Sequence, residues 1–252
     1  MLAPDQRDRI GIVLVSPRNP LNMGAAARAM ANFGFAHLSV VAPYEAHWRE
    51  ARSAIGAPEI LAQASCTERL SEALADRTLV LGTGTLTHRK AEQRVVQLPQ
   101  LAPLVAEELA RGGRIALVFG PEKHGLTRDD LSWCHILVEI PTDPGQPSMN
   151  LGQAVAVFLY ELAVRTATEP ATAEELPPTA ASAELDRLAA VMEDTMNAAG
   201  YAPEIMQQAN GHDLRLMLRR LRLNAKDTRR AMGLFRRILW RLAHPAGRAK
   251  PQ

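Results

Sequence analysis

Residues 114–165 constrain this chain more than any other stretch: RIALVFGPEKHGLTRDDLSWCHILVEIPTDPGQPSMNLGQAVAVFLYELAVR. The run 115–119 is short and wholly apolar, as a strand buried on both faces must be. It breaks at Gly120-Pro121, with Gly125 in the same loop. A second apolar run, 136–140, stops at Pro141, and a loop with Pro144, Gly145 and Pro147 leads to a long apolar helix predicted over 151–164. Two buried strands thus each release a Gly/Pro-rich loop at their carboxyl end, where open α/β sheets bind their ligands.

The flanking sequence repeats the pattern. Residues 10–15 (IGIVLV) read as a buried strand, and 16–20 as a loop by their turn residues. A helix is predicted over 22–33, because Met23, Ala26, Ala27, Met30 and Phe33 recur at helical spacing. Asn22 is its expected N-cap and Gly34 its stop. A strand is expected at 37–42, helix over 59–76, a strand at 78–81 running into Gly82-Thr83-Gly84-Thr85, and a helix over 99–111. Strands alternating with helices argue for α/β with a mostly parallel sheet.

Residues 166–183 are rich in Pro, Ala, Thr and Glu without apolar period and read as a linker. Helices are predicted beyond it over 184–199, 213–221 and 225–242. On the first, Leu185, Leu188, Val191, Met192 and Met196 share a stripe. The organisation read from sequence is a domain over 1–165, a linker over 166–183 and a small helical extension over 184–252. The extension's apolar inventory is small, so it is expected to be stable only against a partner subunit.

The formal net charge of +2 conceals an asymmetry. Residues 211–252 hold 12 Lys and Arg against 2 Asp and Glu, whereas the preceding 210 residues hold 17 against 25. A basic end on a mildly acidic body points to a polyanionic partner. No apolar run approaches a membrane span and no leader is apparent, so a cytoplasmic protein with no membrane partner is expected. Cys66 and Cys134 lie far apart without metal-ligand spacing and read as buried thiols of a reducing cytoplasm. The seven histidines show no ligand spacing, so no metal is expected. Gly82-x-Gly84 lacks the third glycine of a nicotinamide-binding turn, since position 87 is Thr.

Three short motifs, in order, carry a family resemblance. They are Asn19-x-x-Asn22-x-Gly24-x-x-x-Arg28; Gly120-Pro121-Glu122-x-x-Gly125-Leu126; and Ile140-Pro141 with Ser148-Met149-Asn150-Leu151. They resemble the motifs of the SPOUT class of RNA ribose 2′-O-methyltransferases, over about residues 10–165. The polar C-terminal extension resembles that of the TrmJ branch, whose members methylate tRNA in the anticodon loop. The resemblance implies a sheet whose carboxyl end is tied into a trefoil knot, a homodimer with its active site at the subunit interface, and S-adenosyl-L-methionine as methyl donor. The expected target is a tRNA ribose at nucleotide 32. The alternatives are a ribosomal-RNA ribose methyltransferase and a SPOUT-fold RNA-binding module without catalysis.

Residue by residue, the resemblance assigns the cofactor to Thr83, Gly84, Thr85, Gly120, Ile140, Pro147, Ser148 and Met149. It assigns catalysis to Arg28, Asn22, Glu122, Ser148 and Asn150. A guanidinium keeps its proton at any ordinary pH, so Arg28 is better suited to clamp the phosphate beside the target ribose than to act as a base. Asn22 is open to capping its helix, contacting the substrate ribose, or both. Glu122 is expected to accept hydrogen bonds from Arg28 or from loop amides. Ser148 and Asn150 are also candidates for capping the helix that follows. Expected RNA contacts are Arg89, Lys90, Arg219, Arg220, Arg229 and Arg230. The segment Leu86-Thr87-His88-Arg89-Lys90 carries fewer arginines than some relatives, and Gly152 stands where Ser or Ala is frequent.

Overall fold

The structure is a computed structural model, and it describes residues 2–51, 53–84, 91–165, 177–201 and 207–244. In chain order the elements are α1 (Pro4–Arg7), β1 (Ile10–Val15), α2 (Pro20–Phe33), β2 (His37–Val41), α3 (Pro58–Gln63), β3 (Ser65–Thr67), α4 (Leu70–Ala73), β4 (Leu79–Thr83) and β5 (Arg94–Gln97). They continue with α5 (Leu101–Ala110), β6 (Ile115–Phe119), α6 (Arg128–Ser132), β7 (Ile136–Glu139), α7 (Leu151–Arg165), α8 (Ser182–Ala198), α9 (Gln207–Leu221) and α10 (Ala225–Ala243).

The seven strands form one sheet in the order β3-β2-β1-β6-β4-β7-β5. Every pairing is parallel. The apolar strands feed two cores because successive side chains leave opposite faces. Ile10, Ile12 and Leu14 of β1, with Ile115, Leu117 and Phe119 of β6, pack into the layer that holds Met23, Val105, Phe158 and Leu159. Val13, Val15, Ala116 and Val118 face the other way, toward Leu70, Leu74, Leu126 and Cys134. Phe158, Leu159 and Leu162 of α7 are all but fully buried, each stabilising the packing by roughly 2 kcal/mol. At Gly152 a Cβ would lie 2.6 Å from the Ala25 Cβ, so its absence lets α7 approach α2 closely.

Because the strands are parallel, the segments after β1, β4, β6 and β7 all emerge at one edge of the sheet. That edge holds all three sequence motifs.

Several elements depart from the sequence reading. The helix expected over 59–76 is interrupted: Ser65–Thr67 pairs with β2 at the sheet edge, between α3 and α4. This strand is short and has no periodicity to betray it, and it leaves Cys66 exposed where a buried thiol was expected. β5 is a second edge strand with only Val96 buried, and it also went unread. The first motif's helix starts at Pro20, and its N-cap is Asn19 rather than Asn22: the Asn19 side chain accepts from Leu21 N at 2.9 Å. Proline at the first helical position suits that start. The helix expected over 99–111 is α5, preceded by a 3-10 turn at Leu98–Gln100.

The three C-terminal helices pack together around Leu188, Ala189, Leu218 and Met232 and dock on the sheet body. Ser182 donates to the Arg77 carbonyl through both its N–H and its hydroxyl, at 2.8 Å each. Thr179 bridges Asn224, and Ala180 has no exposed surface, so the last residues of the polar stretch 166–183 are part of this docking.

Candidate active site

The loop after β6 sets the site's shape. A Cβ on Gly120 would collide with the backbone of Gly125 and Leu126, so only glycine lets the loop fold back on its own start. Gly125 closes the turn at φ 63°, which favours glycine. The loop ends in a reciprocal cap: Thr127 Oγ1 accepts from Asp130 N at 3.1 Å, and Asp130 Oδ2 accepts from Thr127 N at 2.8 Å. That box starts α6 and fixes the loop's far end. After β4, Thr83 donates to the Val118 carbonyl at 3.0 Å. The loop after β7 is shaped by an Asp143–Gly145 turn at 2.8 Å and by Thr142 donating to the Pro147 carbonyl at 3.1 Å.

These three loops enclose a cavity of about 260 Å³, lined among others by Thr83, Gly84, Gly120, Ile140, Pro147, Ser148 and Met149. They are seven of the eight residues expected to hold the cofactor; the eighth, Thr85, lies outside the described residues, as do Arg89 and Lys90. Phe119, Leu151, Ala154 and Phe158 supply an apolar floor that sequence reading did not assign to the site. They had looked like ordinary core residues.

Beside the cavity runs a hydrogen-bonded relay through all three motifs. Glu122 accepts from the backbone N–H groups of Arg18 and Asn19 at 3.1 Å each, and from Asn22 Nδ2 at 2.9 Å. Asn22 Oδ1 in turn accepts from Asn150 Nδ2 at 2.9 Å. Asn150 Oδ1 accepts from the N–H groups of Gly152 and Gln153 at 2.9 and 3.3 Å, and so caps α7. Burial works against charge on Glu122, but the bonds from Asn22 and from the backbone outweigh it and hold the carboxyl below the usual carboxylate range. A carboxylate that already accepts three hydrogen bonds is a weak base. Its three bonds hold Asn22 and the loop after β1 in place.

Other assignments fall apart from this cluster. Arg28 stands on the exposed face of α2. It does not line the cavity, and it is absent from the relay, so Glu122's donors are loop amides and Asn22, not Arg28. Ser148 lines the cavity, and the cap of α7 falls to Asn150.

Arg219 is a correction. It has no exposed surface, donates to the Trp133 carbonyl at 3.0 Å and to Asp186 at 2.8 Å, and lies over the Trp133 ring. It ties the helical extension to the body and presents nothing to RNA. The helical stripe on α9 that buries Leu216 also buries Arg219, and a charge count does not separate the two environments. Arg220, Arg229 and Arg230 are exposed.

Among the described residues no group of three His, Cys, Asp or Glu could hold a metal ion. No described helix is long and apolar enough to cross a membrane.

Comparison with known proteins supplies the family. The model of the SpoU rRNA Methylase family matches residues 9–160. A Yersinia pestis (strain Pestoides F) protein, named tRNA (cytidine/uridine-2′-O-)-methyltransferase TrmJ, is 32% identical over 240 residues, covering 91% of this chain and 90% of that one. The tRNA (cytidine/uridine/adenosine-2′-O-)-methyltransferase TrmJ of Pseudomonas aeruginosa (strain UCBPP-PA14) is 40% identical over 156 residues, which is 62% of this chain and 60% of that protein's length. The crystal structure of TrmJ from Z. mobilis ZM4 superposes with a TM-score of 0.79 at 29% identity, over 90% of this chain and 98% of that one. With its parallel sheet and its three motifs on one edge, the chain belongs to the SpoU methylase family, as a TrmJ-like RNA 2′-O-methyltransferase.

Proposed function

We propose that this protein methylates the ribose 2′-hydroxyl of a tRNA nucleotide in the anticodon loop, at nucleotide 32, with S-adenosyl-L-methionine as donor. The observation that carries the reading is the relay from Glu122 through Asn22 and Asn150 to the start of α7. It holds the ends of three loops in register beside a cavity lined by loop residues and by apolar side chains of β6 and α7. The names of the TrmJ relatives, matched along most of the chain, support tRNA over ribosomal RNA.

The cavity suits the donor. Gly120 leaves the backbone bare where a side chain would block it, and the apolar floor with polar loop atoms around it is what a nucleoside-like ligand needs. Gly84, Thr85, Gly120, Ile140, Pro147, Ser148 and Met149 would hold it, with Thr83 anchoring the first loop. When bound, it supplies an electrophilic methyl group on a sulfonium. The protein's own task is positioning the acceptor hydroxyl in line. Arg28 clamps the phosphate next to the target ribose, Asn22 and Asn150 fix the substrate edge of the site, and a phosphate oxygen relays the hydroxyl proton to solvent as the methyl group leaves the sulfonium for the ribose oxygen. Glu122 orients and does not abstract.

Arg28 lies outside its own cavity, which fits a homodimer in which it serves the partner's site. Leu21, Tyr160 and Val164, each more than half exposed on α2 and α7, give such a dimer an apolar face. The extension beyond residue 183 is read as the RNA-binding unit, through Arg220, Arg229 and Arg230 with the exposed Arg236, Arg237 and Arg241 of α10. Mapping ribose methylation in tRNA from a strain lacking the gene tests the assignment. Loss of one anticodon-loop methyl group, restored by complementation, is expected; an unchanged tRNA profile would overturn it.

A further inference from the structure

A second cleft, of about 480 Å³, lies between α9 and the loop that follows β6. It adjoins the cavity described above: His124, Leu126 and Leu131 line both. One layer of side chains therefore separates what sits in one from what sits in the other. The opposite wall comes from the C-terminal helices, through His212 and Leu216. Gln93 closes another side, held by its amide N–H donating to the Leu131 carbonyl at 2.5 Å.

The α9 wall is fixed. His212, Arg215, Leu216 and Arg219 follow the i, i+3, i+4, i+7 spacing and share one helix face. Arg215 bonds Asp129 at 2.6 Å and Ser132 at 3.2 Å, and Arg219 bonds the Trp133 carbonyl at 3.0 Å. Both arginines lie over the Trp133 ring. They clamp α9 to α6 and its following residue, and α6 begins where the cofactor loop ends. The cleft is thus a built junction of body and extension.

Two features of its lining ask for a ligand. His212 Nε2 is buried and has no hydrogen-bond partner among the described residues, an unusual state for a buried ring nitrogen. At the mouth, Arg128 pairs with Glu92 at 3.0 Å, with 76% of the arginine side chain exposed. So exposed a pair is weak, and a phosphate would displace the carboxylate readily. Leu126, Leu131 and Leu216 complete an apolar lining, with Leu131 the least buried of the three.

We infer that this cleft receives a base of the RNA substrate flanking the target ribose, with His212 reading the base edge and Arg128 holding the adjoining phosphate. The inference rests on the RNA reading above and gives the extension a role beyond electrostatic attraction: it completes a nucleotide site next to the methyl donor.

The test uses full-length protein and a tRNA transcript. His212→Trp fills the cleft without entering the cofactor cavity. It should lower kcat/KM for tRNA tenfold or more, while the calorimetric affinity for S-adenosyl-L-methionine stays within twofold. Wild-type kcat/KM in this variant overturns the inference. If His212→Trp melts early, His212→Ala replaces it, and a three- to tenfold loss is expected against none. Independently of turnover, the His212 imidazole resonance should shift when an anticodon-arm hairpin is added; an unmoved resonance overturns the cleft even if methylation proceeds. A wild-type protein that binds the hairpin through His212 but transfers no methyl group to tRNA would instead overturn the proposed function.

Discussion

Replacing Arg219 by Ala should destabilise the protein although the residue belongs neither to the cavity lining nor to the relay. Its side chain is fully buried, and its partner Asp186 keeps 26% of its side-chain surface. Breaking a buried pair from one side costs about 3–5 kcal/mol. Asp186 can rehydrate in part, which takes the figure to the lower end, while loss of the contact with Trp133 at 5.0 Å adds about 0.5–1 kcal/mol. A net cost of about 3.5–4 kcal/mol translates into a fall in melting temperature of roughly 7–16 °C for a chain of this size. Differential scanning calorimetry with Asp186→Ala and the double variant reads the coupling. Because a buried ion pair is often no better than apolar packing of similar volume, Arg219→Met with Asp186→Leu should recover most of the loss. A melting temperature within 2 °C of wild type for Arg219→Ala would refute the reasoning. So would a flattened RNA salt slope in a variant that still folds, since that would return Arg219 to the RNA surface.

Three further outcomes follow from the geometry. Glu122→Gln places an amide N–H₂ among three donors, so methyl transfer should fall at least tenfold with the fold retained. Glu122's folded pKa lies below its unfolded value, so its contribution to stability is present above the unfolded pKa and is lost as the pH falls through the folded one; denaturant titrations of wild type and Glu122→Gln should converge only in acid, and a constant difference down to that range would contradict the relay. Replacing Arg220, Arg229 and Arg230 with Ala should weaken tRNA binding and flatten the dependence of log affinity on log salt by up to about 2–3 units, at roughly 0.7–0.9 per phosphate released. An unchanged slope would leave the extension without the electrostatic role given to it.

The strands and the site loops were legible because their signals are local. Apolar runs ended by Gly or Pro marked β1, β6 and β7, and the motif order placed three loops on one edge. What escaped was settled by partners distant in sequence. β3 exists because Ser65 to Thr67 can add to β2, and nothing in three polar residues announces that. Asn22 was open to capping its helix; Asn19 takes that cap, and Asn22 instead bonds Glu122, 100 residues away. Arg219 counted as surface charge until Trp133 and Asp186 were placed around it. The cleft at His212 depends on the docking of α9, which no periodicity reports.

The central claim is that the three motifs assemble a ribose methylation site for tRNA with Arg28 at the substrate phosphate. Its most direct measurement is mass-spectrometric mapping of an anticodon-arm tRNA transcript after incubation with purified wild-type or Arg28→Ala protein and S-adenosyl-L-methionine, alongside calorimetric cofactor affinities for both. The account predicts one 2′-O-methyl group in the anticodon loop with wild type and none with Arg28→Ala, at cofactor affinities within about twofold. Near-normal methylation by Arg28→Ala, or methyl groups placed outside the anticodon loop by wild type, would contradict it.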